Sequence, residues 1–127
     1  MKQKFFITIS LFSLMCLSSC YKDVISPGQD PNGPPQEVSF SGDLQPIFDA
    51  NCTTSGCHDD KPSHNPSLVP SKSYNALMSG GYVNVAVPTN SVLYNEVKSG
   101  GMPPTGALKQ SETQMILDWI RNGAPNN

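Results

Sequence analysis

The stretch Asn51 to Asp60, N-C-T-T-S-G-C-H-D-D, decides how the chain is read: Cys52 and Cys57 bracket four small residues, and His58 follows the second cysteine directly. Two thiols on one short loop can each add across a vinyl group of a porphyrin, and an adjacent imidazole then reaches the central iron from one face. These residues point to a covalently held haem, with Cys52 and Cys57 as attachment points and His58 as proximal ligand through Nε2. The usual form of this signature has two residues between the cysteines, whereas this chain has four. Gly56 supplies the positive φ that a longer spacer calls for. The other ring nitrogen of His58 needs an acceptor to fix the imidazole, and the backbone carbonyls of residues 59–70 are the nearest source. Asp59 and Asp60 read as a solvated acidic turn.

Working towards the N-terminus, the chain begins with Lys2 and Lys4 and an apolar run from Phe5 to Leu17, broken only by Thr8, Ser10 and Ser13. That run is shorter than the roughly 20 residues a membrane span needs, and it fits the apolar part of a secretory signal. Leu17-Ser18-Ser19-Cys20 resembles the bacterial lipobox, which implies lipidation of Cys20 after removal of residues 1–19. The alternative is an ordinary signal cleaved nearby, leaving Cys20 a spare thiol. Cys16 leaves with the signal and Cys20 takes lipid, so Cys52 and Cys57 remain as the one local pair in an oxidising compartment. Residues 20–39, with Pro27, Pro31, Pro34 and Pro35, read as an anchored tether that reaches ~60 Å at most. The mature chain then has 6 basic and 10 acidic side chains, a formal charge of −4, with no basic run. Nucleic acid is excluded as a partner on that ground.

Residues 40–127 read as one all-α domain of three to four short helices with long loops. Leu44, Ile47 and Phe48 give helical spacing between Asp43 and Asn51, with Pro46 in a first turn. Ser73 marks the start of a helix over 74–78 that Gly80 and Gly81 end. Val83, Val85 and Val87 alternate in a short extended piece. Asn90 or Ser91 caps a further helix with Val92, Leu93 and Val97 apolar, stopped by Gly100. The strongest signal is the last: Ser111-Glu112-Thr113-Gln114 matches a capping box, Met115, Ile116, Trp119 and Ile120 form a stripe, and Asn122-Gly123 ends it. Leu, Ile, Val and Phe total 17 of the 88 residues from Phe40 onward, about 19%, a thin supply for a core. A bound haem would give the helices an apolar plate to pack against.

A second axial ligand is sought among Met78, Met102, Met115 and His64. Met78 and Met115 lie on helices, where methionine usually packs. His64 sits too near His58 in sequence to cross to the other haem face and reads as solvent-exposed. Met102 lies in Ser99-Gly100-Gly101-Met102-Pro103-Pro104, a loop that would hold a thioether outwards, so Met102 is the candidate distal ligand.

Cys-x4-Cys-His, Gly-Met-Pro-Pro and the closing I-L-D-W-I-R-N-G-A-P together resemble a small mono-haem c-type cytochrome of the kind carried by bacterial lipoproteins, over residues 40 to 127. The resemblance implies a cytochrome c-like domain around haem c, with its iron between His58 and Met102, and an N-terminal helix crossing a C-terminal one at Phe48 and Trp119. It implies an electron carrier in the cell envelope, lipid-anchored to a membrane, exchanging electrons with redox partner proteins. It is not itself an enzyme, although it can serve an oxidoreductase assembly. Two alternatives stay open: a non-redox binding module in which Cys52 and Cys57 form a disulfide, and a haem sensor or peroxidase-like protein with an open distal site. Zinc or copper on Cys52, Cys57 and His58 lacks an evident fourth ligand.

Overall fold

A computed structural model describes residues 32–54 and 56–127. The run read as a signal, Cys20 and most of the stretch read as a tether lie outside the described residues, within which all regular structure is helical. A π-helical turn, Phe40–Leu44, runs directly into α1, Gln45–Asn51; α2 follows at Ser73–Ser79, α3 at Val92–Ser99 and α4 at Gln110–Arg121, with a 3-10 turn, Pro88–Asn90, before α3.

The first helical stretch begins earlier than the sequence predicts because Ser39 and Asp43 cap each other. The Gly42 amide donates to Ser39 Oγ (3.0 Å) and the Ser39 amide donates to Asp43 Oδ2 (2.8 Å). Pro46 sits in the first turn of α1, where its missing N–H costs nothing. Leu44, Ile47 and Phe48 all turn inwards, as their spacing requires. In α4 the buried apolar stripe is Ile116, Leu117, Trp119 and Ile120, while Met115 is 39% exposed. Met115 therefore does not belong to the core stripe: a step of about 100° per residue sets Met115 and Leu117 on opposite flanks of Ile116, and it is the Leu117 flank that the core covers. The cap also sits two residues earlier than Ser111. Glu112 accepts from the Lys109 amide (3.0 Å), and the Lys109 ammonium has no lone pair with which to complete a box.

Other local expectations change in the same way. Ser73 is the first residue of α2 rather than its cap, because its hydroxyl points inwards and donates to Gln45 Oε1 (2.6 Å). Residues 85–87 form bends and 82–84 no regular structure, so no strand runs through 82–87; the Val87 amide donates to Asn84 Oδ1 (2.9 Å) and Val85 and Val87 are exposed. Ser91 occupies the cap position of α3 but spends its oxygen on the Asn84 amide (2.9 Å). That helix buries Tyr94 and Val97 and leaves Val92 exposed. Gly100 ends it at φ 75°, a left-handed turn that a side chain would strain.

Phe40 is the hub of the core. Its ring lies 5.2 Å from Trp119, 5.2 Å from Tyr74 in an edge contact and 6.2 Å from Phe48. Phe48 and Trp119 are both fully buried, and Phe40 bridges them. The part of the tether nearest the domain is packed on α4: Val38 is buried, the Gln36 amide donates to Asp118 Oδ2 (3.3 Å), and Arg121 donates to the Gly33 carbonyl (2.7 Å). Asn127 accepts from the Ser41 amide (2.8 Å) and, through Oδ1, from the Phe40 amide (2.8 Å), so both ends of the domain meet at the hub.

The thin apolar supply is nonetheless gathered into one buried cluster. Ten of the 17 Leu, Ile, Val and Phe residues are buried, joined by Val38, Tyr94, Trp119 and Ala124. Gln45, Ser67, Ser73, Ser91, Gln114 and Asp118 are buried as well, and among the described residues every buried side-chain polar atom has a partner. Large aromatic rings and satisfied polar groups fill the volume that aliphatic residues would otherwise occupy.

Candidate functional site

The helix α1 delivers Cys52 at its C-terminal cap, where the Cys52 amide donates to the Phe48 carbonyl (2.8 Å). The long spacer then folds back on itself. The Cys57 amide donates to the Thr54 carbonyl (2.9 Å), with Gly56 at φ 82°, the position at which a type II turn demands a glycine. The His58 amide closes the loop on the Cys52 carbonyl (3.2 Å). The longer spacer thus closes through a tight turn, with Cys57 near enough to Cys52 to act on its thiol electrostatically.

His58 is fixed from behind. Its Nδ1 lies 2.7 Å from the Pro66 carbonyl oxygen. A carbonyl can only accept, so Nδ1 carries the hydrogen, and the neutral tautomer this selects has its lone pair on Nε2. The expectation of a backbone acceptor in the 59–70 loop is met, and that loop is itself tied down. The Leu68 amide donates to the His58 carbonyl (2.8 Å), and Ser67 Oγ donates to the Asp59 carbonyl (2.7 Å). Lys72 reaches Asp60 through its carboxylate (2.6 Å) and its carbonyl (3.0 Å). Asp60 is exposed, and the hydrogen bond and charge of Lys72 hold its carboxyl below the usual carboxylate range. Asp59 is more than a solvated turn residue, because its carboxylate accepts from the Gly56 amide (2.9 Å) and the Lys61 amide (3.0 Å). The tendency of an aspartate in an irregular stretch to accept from the amide two residues on, here that of Lys61, is the signal that would have marked it.

Gln45 links this loop to the core. Its amide nitrogen donates to the Leu68 carbonyl (2.8 Å) and to Asp49 (2.9 Å), while its oxygen accepts from Ser73. Nothing local in the sequence marks a glutamine on an apolar helix face as such a bracket.

Cys52 and Cys57 are unpaired and half-buried, and Cys52 packs against the core. Burial, reinforced by the nearby Cys57, pushes the Cys52 thiol up to about 11, so it is protonated at neutral pH. Met102 stands apart on its loop. It is 38% exposed, its amide donates to the Glu96 carbonyl (3.1 Å), and no hydrogen bond or core contact links it to the Cys52–His58 loop. Met78 packs against the core, Met115 faces outwards and His64 is exposed. Among the described residues no group of three or more His, Cys, Asp or Glu side chains converges as a metal site. Two open clefts of about 430 and 420 Å³ flank Lys72, and neither is lined by Cys52, Cys57, His58 or Met102. No helix among the described residues is long and apolar enough to cross a membrane. No protein-family model matches the chain, and no curated protein or solved structure matches it either.

Proposed function

We propose that the chain is an extracytoplasmic electron carrier holding one haem c through Cys52 and Cys57, with His58 as one axial ligand of the iron and Met102 as the other. The observation that carries this reading is the state of His58: Nδ1 is committed to Pro66, and Nε2 is left with its lone pair. The donor set fits the group. Two unpaired thiols are carried on the same short loop as that imidazole, and a thioether is available on an exposed loop. Thiol addition to a vinyl group forms a carbon–sulfur bond and leaves the thiol hydrogen on the neighbouring carbon, so it needs reduced cysteines and no oxidant. When bound, the haem supplies a single-electron couple, and methionine ligation raises its potential. The chain's own residues hold the imidazole in one orientation and keep the loop around it fixed. With both axial positions taken the site has no room for substrate, in keeping with a carrier rather than an enzyme.

The same reading puts the domain in a bacterial cell envelope, anchored through lipid on Cys20, where the −4 charge favours redox partners with a basic patch. Production with haem-maturation machinery tests it: the expected product is coloured and carries a covalent haem by mass. A colourless, folded product two hydrogens lighter would instead establish the disulfide-closed binding module. The exposure of Met102 favours one second reading, a haem protein with an open distal site, which ligand-binding spectra of the loaded protein would reveal.

A further inference from the structure

Within that reading of the site, we propose that Asp59 is the positioning residue that makes the four-residue spacer competent for double attachment, by holding the turn that returns Cys57 to Cys52. A spacer with two additional residues has more conformations available than the short form, and only those that bring both thiols to one edge of a porphyrin allow two thioethers. Thr53 ties the start of the spacer to α1, its amide donating to the Phe48 carbonyl (3.1 Å) and its hydroxyl to the Asp49 carbonyl (3.1 Å), whereas the turn that follows has few bonds of its own. Its own hydrogen bonds are Cys57 amide to Thr54 carbonyl and His58 amide to Cys52 carbonyl, the second a long one at 3.2 Å. The Asp59 carboxylate adds two charge-assisted bonds, one oxygen on the Gly56 amide within the turn and the other on the Lys61 amide beyond it. One side chain thereby couples the spacer to the loop that carries the His58 acceptor. The Asp59 carbonyl, held by Ser67 Oγ at 2.7 Å, anchors that side chain's own backbone. Ser63 Oγ also donates to the Gly56 carbonyl, so both polar groups of Gly56 are engaged from outside the spacer.

The test compares wild type, Asp59→Ala and Asp59→Asn, each produced with haem-maturation machinery, by counting thioethers per haem. Mass after proteolysis and the haemochrome band, which moves with the number of unsaturated vinyls, both report that count. Alanine removes both acceptors and asparagine keeps one. The single-thioether share should rise about tenfold for Asp59→Ala and about threefold for Asp59→Asn. Loss of general stability alone would lower the yield and leave the ratio of one to two thioethers unchanged, which overturns the proposal. Full double attachment in both variants overturns it as well. If wild type carries no haem, the functional reading fails separately, and the positioning claim is read from the Cys52/Cys57 thiol–disulfide equilibrium against glutathione. There Asp59→Ala should weaken ring closure about tenfold, and an unchanged equilibrium refutes it.

Discussion

Replacing Gln45 with leucine is the sharpest test of how the site loop is tied to the core. Gln45 is 7% exposed, and its two buried bonds serve the Leu68 carbonyl and the Ser73 hydroxyl at 2.8 and 2.6 Å. Leucine has nearly the same volume and no polar atoms, so the substitution orphans both partners without opening a cavity. Each orphaned buried group costs about 1–3 kcal/mol, and the better burial of leucine returns about 1 kcal/mol, leaving a net loss of about 3 kcal/mol. Urea unfolding should show this as a lower midpoint at constant slope. Adding Ser73→Ala removes one orphan and should recover about 1 kcal/mol, making the pair strongly non-additive. Because the Leu68 amide also donates to the His58 carbonyl at 2.8 Å, amide exchange at Leu68 should accelerate in Gln45→Leu. A loss below about 0.5 kcal/mol, or a double variant less stable than Gln45→Leu, would refute the bracket.

Three further outcomes follow from the same geometry. In the haem-loaded protein, Met102→Ala should turn a low-spin visible spectrum high-spin and lower the potential; an unchanged spectrum would remove Met102 as a ligand. Gly80→Ala should cost about 3 kcal/mol in the same urea assay, because the new Cβ would run into the Tyr82 ring and meet the Ala76 carbonyl at 2.6 Å. The haem-free chain should lose stability between about pH 9 and pH 11. There the unfolded Cys52 thiol, near 9.0, ionises before the folded one, at about 11, so the contribution is complete below pH 9 and fades above it. Its size is about 1–2 kcal/mol once solvent screening of a partly exposed group is allowed for, and it should vanish in Cys52→Ala and after haem attachment.

What the sequence discloses follows the range of the interactions. Ile116, Trp119 and Ile120 repeat at helical spacing and end at Gly123, so α4 was legible without its neighbours. Whether Met115 or Leu117 flanks the stripe inwards depends on where Phe40 and Val38 dock, and no window around the helix contains that. Ser73 and Ser91 show the same limit, because a serine before a helix looks alike whether its hydroxyl turns to the backbone or into the interior. Ser73 turns to Gln45, 28 residues away. At the site, the class of the His58 acceptor was readable from the chemistry of an imidazole that must keep Nε2 free. The acceptor's identity as Pro66 rests on how the 59–70 loop closes through Leu68 and Ser67. Asp59 was within reach, since its bond to the Lys61 amide is local.

The closed core also changes what a haem would contribute. The Phe40 hub is fastened by residues near both ends of the domain, so the helices share contacts that lie apart from the Cys52–His58 loop. The Cys52–His58 loop is held by other contacts: the Asp59 carboxylate, the Pro66 and Leu68 backbone, the Lys72–Asp60 pair and the Gln45 bracket. In the proposed carrier, an imidazole clamped in advance would move little on a change of iron charge, and small rearrangement is what fast single-electron exchange requires. The clamps therefore matter to the proposed carrier more than any apolar plate would. Gln45, which touches both the core and the loop, is the side chain through which a defect in one would reach the other.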